Sequence, residues 1–71
     1  DVITYNSAIA ACASGYGGGG KASQLIGEMR RKGLKPDRYS YTSAIHACSK
    51  AGKPEEALRL LRAMEASNVG H

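Results

Sequence analysis

Residues 37–48 read D-R-Y-S-Y-T-S-A-I-H-A-C, and residues 1–12 read D-V-I-T-Y-N-S-A-I-A-A-C. Seven of the twelve aligned positions are identical, at an offset of 36 residues. A second match, at an offset of 35, pairs Ala22, Leu25, Ile26 and Met29 with Ala57, Leu60, Leu61 and Met64. Self-similarity at a fixed period of a few tens of residues is the signature of a repeat protein. The chain is therefore expected to contain two copies of one unit.

Both halves of each copy have a helical period. Apolar or small residues recur at i, i+3, i+4 and i+7, as in Tyr5, Ala8, Ile9 and Cys12. The pattern predicts an all-α fold, an α-solenoid of antiparallel helix pairs with two helix–turn–helix repeats. The predicted helices span residues 2–14, 21–32, 38–50 and 54–67. Since one helix pair cannot bury its outer faces, two stacked pairs should leave apolar surface at both ends, as in a piece of a longer array.

Capping signals flank these helices. Asp1 and Asp37 precede the first and third helices, where a short carboxylate accepts from backbone N–H groups that have no partner within the helix. Pro54 suits the first turn of the fourth helix. Gly33 and Gly52 follow the second and third helices and can end them by adopting a positive φ.

The net charge and the residues that could carry chemistry bear on function. Ten Lys and Arg residues outnumber six Asp and Glu residues, and the net charge of +4 favours an anionic partner. Cys12 and Cys48 form no CxxC motif, and His46 has no acidic or cysteine partner at metal-ligand spacing. With no recognisable nucleophile–base pair or carboxylate pair, we expect no catalysis, metal or cofactor. The longest apolar run, Ala8–Ala13, is too short to cross a membrane.

Two runs carry a family resemblance: D-V-I-T-Y-N-S-A-I at residues 1–9 and E-M-R-R-K-G-L-K-P-D at residues 28–37. They closely resemble the pentatricopeptide repeat (PPR) family. A tetratricopeptide unit fits less well, because the chain has no Trp and its first helix has no Leu-Gly pair. The resemblance divides the chain into a first unit over 2–37, with one extra residue in the Gly-rich loop 15–20, and a C-terminally truncated second unit over 38–71.

The resemblance also implies a function. Helix pairs of this family stack into a right-handed superhelix whose concave face binds single-stranded RNA, one base per repeat. It implies a mitochondrial or chloroplast protein acting in RNA processing, stability or translation. Other proteins of an RNA-processing complex would be further partners.

Base-reading residues are implied by the same resemblance. In the first unit Asn6 would read the base and Asp37 would support it, a pairing that implies a pyrimidine, with uracil preferred. In the second unit Thr42 would be the reader, which implies a purine of either kind. Asp1 would support a base read by a preceding unit.

Stacking and phosphate contacts follow in the same way. Ile3 and Tyr39 occupy equivalent positions of successive units and would sandwich the base. Lys50 resembles the lysine that meets phosphates on the concave face, and the first unit has Ser14 at that place. Both assignments are implied by the family, not by spacing.

Two other functions stay open at this point. Helical solenoids also hold peptides on their concave faces, so a protein-interaction scaffold is the alternative to RNA binding. The Gly-rich segment 15–23 approaches the P-loop pattern, but its Ser lies one residue late and a helix precedes it. The cationic run from Arg30 to Arg38 is explained either by the dipole at a helix C-terminus or by phosphate attraction.

Overall fold

The chain folds into four α-helices, confirming the all-α prediction. The structure is a computed structural model and describes residues 1–15 and 18–67. The helices are α1 (Val2–Ala13), α2 (Gly18–Arg31), α3 (Arg38–Lys50) and α4 (Pro54–Ala66). Helix α1 packs against α2 and α3, and α3 also contacts α2 and α4. Helix α3 is therefore the central element, with a neighbour from each half of the chain.

The predicted N-terminal capping residues lie at the helix starts, as expected. Asp1 Oδ1 accepts a hydrogen bond from the Thr4 backbone N–H at 2.9 Å. Asp37 does the same for Ser40 at the start of α3, also at 2.9 Å. Pro54 lies in the first turn of α4, where its missing N–H costs nothing.

Two helices end at a glycine with a positive φ angle. Gly33 has φ +79° and Gly52 has φ +74°, values at which a side chain would strain the backbone. After Gly33, the Leu34 N–H donates to the Met29 carbonyl at 2.8 Å. After Gly52, an equivalent bond of 2.8 Å joins the N–H of the next residue to Cys48. Both are the hydrogen bonds of a Schellman C-cap, and they confirm the predicted helix ends.

Helix α2 begins three residues earlier than predicted. Glycines 18–20 form its first residues, although the sequence favoured a loop there. Glycine disfavours a helix by about 1 kcal/mol relative to alanine. Ala22, which follows these glycines, is completely buried in the common core. Residues 16 and 17 of the predicted loop lie outside the described residues, as do residues 68–71 of the second predicted unit.

The core is shared by α1, α2 and α3, with a smaller contribution from α4. Its largest completely buried side chains are Tyr41, Ile9 and Met29. Equivalent positions of the two copies differ in burial: Ile26 is 3% exposed, whereas its counterpart Leu61 is 39% exposed. The reason is that α2 is covered by the second copy, while the outer side of α4 is open. An apolar depression there is lined by Ile45, Leu58 and Leu61 among others.

Candidate nucleic-acid interface

Asn6 and Asp37 meet where the N-terminal halves of α1 and α3 pack together. Asn6 is in the second turn of α1, and Asp37 is the N-cap of α3. Between them lies Ser40, whose Oγ contacts Asn6 Oδ1 and lies 3.0 Å from Asp37 Oδ1. The pair implied by the family is therefore joined in the structure through a third residue.

Ser40 is the residue that sequence reasoning missed. It is completely buried, and it completes a capping box: Asp37 accepts from its N–H, and its Oγ accepts from the Asp37 N–H at 3.2 Å. The signal available in the sequence was a hydroxyl three residues after the N-cap aspartate. That spacing predicts the cap, but it does not show that Asn6 lies against the same hydroxyl.

The charge of Asp37 is stabilised by this network. Hydrogen bonding from the Ser40 N–H lowers the pKa of Asp37, opposed by partial desolvation. The Ser40 hydroxyl and the Asn6 amide lower the pKa of Asp37 further. The carboxylate is consequently held ionised beside Asn6, as a fixed hydrogen-bond acceptor.

The two predicted stacking residues are the most exposed large apolar side chains of the described chain. Ile3 is 76% exposed and Tyr39 is 57% exposed. Each lies in the first turn of its helix, three residues before the predicted base reader. Large apolar side chains in solvent at equivalent sites are the arrangement that a planar, stackable ligand would cover.

A groove runs along the exposed face of α3. The groove is lined at helical spacing by Tyr39, Thr42, His46 and Lys50, and on the other side by residues of α1 and its C-cap Ser14. Its volume is about 370 Å³. From the first to the last of these residues a helix rises about 17 Å. The groove therefore brings together the predicted second reader, a stacking residue and the predicted phosphate ligand.

Other predicted residues lie apart from this groove. Ile3, Asn6 and Asp37 do not line it: Ile3 and Asn6 lie in the N-terminal half of α1, and Asp37 is the N-cap of α3. Asp1 caps α1, the role that its position in sequence predicts. No contact of the structure assigns Asp1 a further role within the described residues.

The cations at the end of α2 lie outside this groove. Arg30 and Arg31 line a separate depression on α2. The ammonium Nζ of Lys32 lies 3.6 Å from Glu28 Oε1 and 5.8 Å from the centre of the Tyr5 ring. The Tyr5 hydroxyl donates to Glu28 at 2.9 Å and lowers the pKa of Glu28.

The other kinds of site considered from the sequence are a nucleotide-binding loop, a metal site and reactive cysteines. Residues 16 and 17 of the Gly-rich loop, where a P-loop was considered, lie outside the described residues. In the described chain, no cluster of His, Cys, Asp and Glu could hold a metal ion. Cys12 and Cys48 are buried, and burial raises the pKa of Cys48. None of the helices between residues 1 and 67 that the structure describes has the length and apolar character to cross a membrane.

Comparison with known families identifies the class. The sequence model of the PPR repeat family matches residues 1–50, and a second PPR repeat model matches residues 39–69. The first match covers well over half of the chain. The chain belongs to the pentatricopeptide repeat family, as its repeated runs and helix pairs indicate.

Individual relatives come from Arabidopsis thaliana. The pentatricopeptide repeat-containing protein At1g14470 is 34% identical over 71 residues, covering 100% of this chain and 13% of that protein. The mitochondrial protein At5g15010 is 37% identical, over 92% of this chain and 11% of its own length. The chloroplastic protein At1g05750 is 36% identical, over 90% of this chain and 13% of its own length. The chain thus spans about a tenth of the length of these relatives. No solved structure gives a significant match.

Proposed function

We propose that the chain binds single-stranded RNA as part of a longer pentatricopeptide array, with one base facing each unit. The units are residues 2–37 and 38–71. The array acts in a mitochondrion or chloroplast, in RNA processing, stability or translation, alongside other proteins of an RNA-processing complex. No catalytic step belongs to this segment. The observation that carries the proposal is the Asn6–Ser40–Asp37 network beside two exposed apolar side chains.

In the first unit, affinity and base identity have separate origins. Ile3 and Tyr39 cover the two faces of the base, and stacking of this kind contributes on the order of 1–3 kcal/mol per base with little sequence preference. Asn6 meets the base edge, because an amide has both donors and an acceptor. Asp37 supplies a charged acceptor beside it. The combination favours a pyrimidine, with uracil preferred.

In the second unit, Thr42 replaces the amide and faces the groove of α3. Thr42 offers a hydroxyl in place of an amide, and the family resemblance implies that a unit with this reader prefers a purine. Lys50 lies at the far end of the groove and attracts the phosphate backbone. Ser14 provides no such charge in the first unit. Asp1 supports a base read by a preceding unit.

The test exchanges the two readers in the full-length protein that carries this segment. RNAs that differ at one base are bound to the wild type, to Asn6→Thr and to Thr42→Asn. We expect Asn6→Thr to shift the preference of the first unit toward purines and Thr42→Asn to shift the second toward pyrimidines. Each variant is a control for the other, since each changes the reader of one unit and leaves the reader of the other unit intact.

Unchanged base preference in both variants would refute the RNA code proposed for these residues. A protein-interaction scaffold would then be the better explanation. The groove of α3 gives that alternative less support than an apolar groove would, because hydroxyls, His46 and Lys50 line much of it.

A further inference from the structure

Ser40 is unusual in its position: a polar side chain with no exposed surface. Among the residues that the structure describes, Ser40 is the only buried polar residue. Burying a hydroxyl is costly unless it is hydrogen-bonded. Its partners, Asn6 of α1 and the N-cap residue Asp37, belong to the first unit, whereas Ser40 lies in α3 of the second unit. Ser40 is therefore a link between units as well as part of a helix cap.

The hydrogen-bond capacity of this hydroxyl is limited. Its oxygen accepts from the Asp37 N–H at 3.2 Å, and its one proton lies between two acceptors, Asn6 Oδ1 and Asp37 Oδ1. Asp37 Oδ1 already accepts from the Ser40 N–H at 2.9 Å. The carbonyl of Asn6 depends on the hydroxyl proton for its hydrogen bond, whereas the carboxylate does not.

We propose, on the basis of the RNA-binding function above, that Ser40 is a positioning residue that fixes which end of the Asn6 amide faces the base. The two ends of an asparagine amide have nearly the same shape but opposite hydrogen-bonding character. The hydroxyl of Ser40 holds the carbonyl of Asn6 inward. The NH₂ group is then left to face a ligand, next to the Asp37 carboxylate.

This orientation gives the unit a defined pattern: a donor from Asn6 and an acceptor from Asp37. Uracil has an acceptor oxygen at position 4 and a donor N–H at position 3, whereas cytosine has a donor and an acceptor at those positions. With the base fixed between Ile3 and Tyr39, the pattern complements uracil and opposes cytosine. A reversed amide would offer its carbonyl to the cytosine amino group. Holding the amide therefore raises the preference for uracil over cytosine.

The chain contains a matched control for Ser40. Thr4 is the equivalent residue of the first copy, and its N–H bonds to Asp1 at 2.9 Å in the same way. Its side chain is exposed, whereas that of Ser40 is buried. Replacing Thr4 by Ala removes a hydroxyl from the same place in a helix cap without touching the Asn6 site.

The experiment measures binding of the full-length protein to RNAs with uracil or cytosine at the first unit's position. We expect Ser40→Ala to lower the uracil-to-cytosine affinity ratio about fivefold, the factor that one net hydrogen bond typically contributes. Ser40→Thr keeps the hydroxyl and should preserve the ratio, and Thr4→Ala should leave it unchanged. An unchanged ratio in Ser40→Ala, or an equal fall in Thr4→Ala, would overturn the proposal.

A second measurement needs neither RNA nor a variant. The side-chain amide of Asn6 is observed by NMR in the 71-residue chain, which has only one other asparagine, Asn68. Nuclear Overhauser contacts of its NH₂ protons should reach Asp37 more strongly than Ser40. The reverse pattern would overturn the orientation even if Ser40→Ala failed to fold. If the orientation is observed but the full-length protein ignores base identity, the proposed function fails and the positioning role of Ser40 in the apoprotein stands.

Discussion

Replacing Asp37 by Ala should destabilise the chain more than replacing its sequence equivalent, Asp1. Each carboxylate accepts a backbone N–H at 2.9 Å. Asp37 also lies 3.0 Å from the hydroxyl of Ser40, a residue buried between α1 and α3. Asp1→Ala therefore removes a single helix cap, whereas Asp37→Ala also removes a partner of a buried hydroxyl.

The expected magnitudes follow from the position of each helix. An N-cap to alanine substitution costs about 0.5–2 kcal/mol. Helix α1 contacts two other helices, while α3 contacts all three and carries the buried Tyr41 just after its cap. Loosening the start of α1 is thus local, and loosening the start of α3 disturbs the core. We expect a loss of about 0.5 kcal/mol for Asp1→Ala and about 2 kcal/mol for Asp37→Ala.

The assay is thermal and urea unfolding at pH 7, followed by circular dichroism at 222 nm. For a domain of this size, 1 kcal/mol lowers the Tm by about 4–8 °C. The Asp37→Ala variant should therefore melt about 8–16 °C below the wild type. Equal effects of the two substitutions, or a larger effect of Asp1→Ala, would refute the argument that Ser40 and the central position of α3 amplify the loss.

Acidification provides a second arm of the same prediction. The pKa of Asp37 is lower in the folded chain than its usual value, chiefly because of the Ser40 N–H. Its stabilising contribution is therefore complete above the unfolded pKa of about 4 and is lost as the pH falls through the lower folded pKa. The stability difference between the wild type and Asp37→Asn should be constant from about pH 7 to 5 and shrink below about pH 4. A difference that grew on acidification would contradict the pKa direction.

Three further predictions test the interface and the open end of the fold. Tyr39→Ala should weaken binding of every base at the first unit without changing their order, and a changed order would show that Tyr39 selects bases. Lys50→Ala should lower the log–log salt slope of RNA binding by about 1, whereas Arg62→Ala on α4 should leave it unchanged; a slope unaffected at Lys50 would exclude a phosphate contact. Ile26→Ala should cost about 2–5 kcal/mol and its counterpart Leu61→Ala less than about 1 kcal/mol, as measured by urea unfolding, because only Ile26 is buried. Fusing a further unit after α4 should raise the stability loss of Leu61→Ala toward that of Ile26→Ala. Equal losses for the two variants without the fusion would contradict the inference that the outer side of α4 is open.

The helices and their ends could be predicted from the sequence because their causes are local. The spacing of Tyr5, Ala8, Ile9 and Cys12 depends only on the helical period, and each Asp cap bonds to a residue three positions away. Gly33 and Gly52 end their helices through bonds within five residues. The predicted start of α2 was wrong by three residues: the glycines favoured a loop, but residues 18–20 are helical in the structure.

The candidate site was predicted only in part. The residues Asn6, Asp37 and Thr42 came from the resemblance to the family, and their roles in RNA binding remain predictions. Ser40 was not found, because its contact with Asn6 joins residues 34 positions apart. Neither composition nor periodicity shows which hydroxyl of α3 will face which amide of α1. That contact depends on how the two helices pack.

The difference between what the sequence determines and what the tertiary structure determines is clearest in the burial of equivalent residues. The sequence determined that both copies carry an apolar stripe, since Ile26 and Leu61 occupy one repeat position. It did not determine that Ile26 is in the core while Leu61 is 39% exposed. Likewise Tyr41 is buried, whereas Tyr5 is only partly buried and bonds to Glu28. The tertiary structure decided these differences, because the second unit covers α2, whereas no described helix covers the outer side of α4.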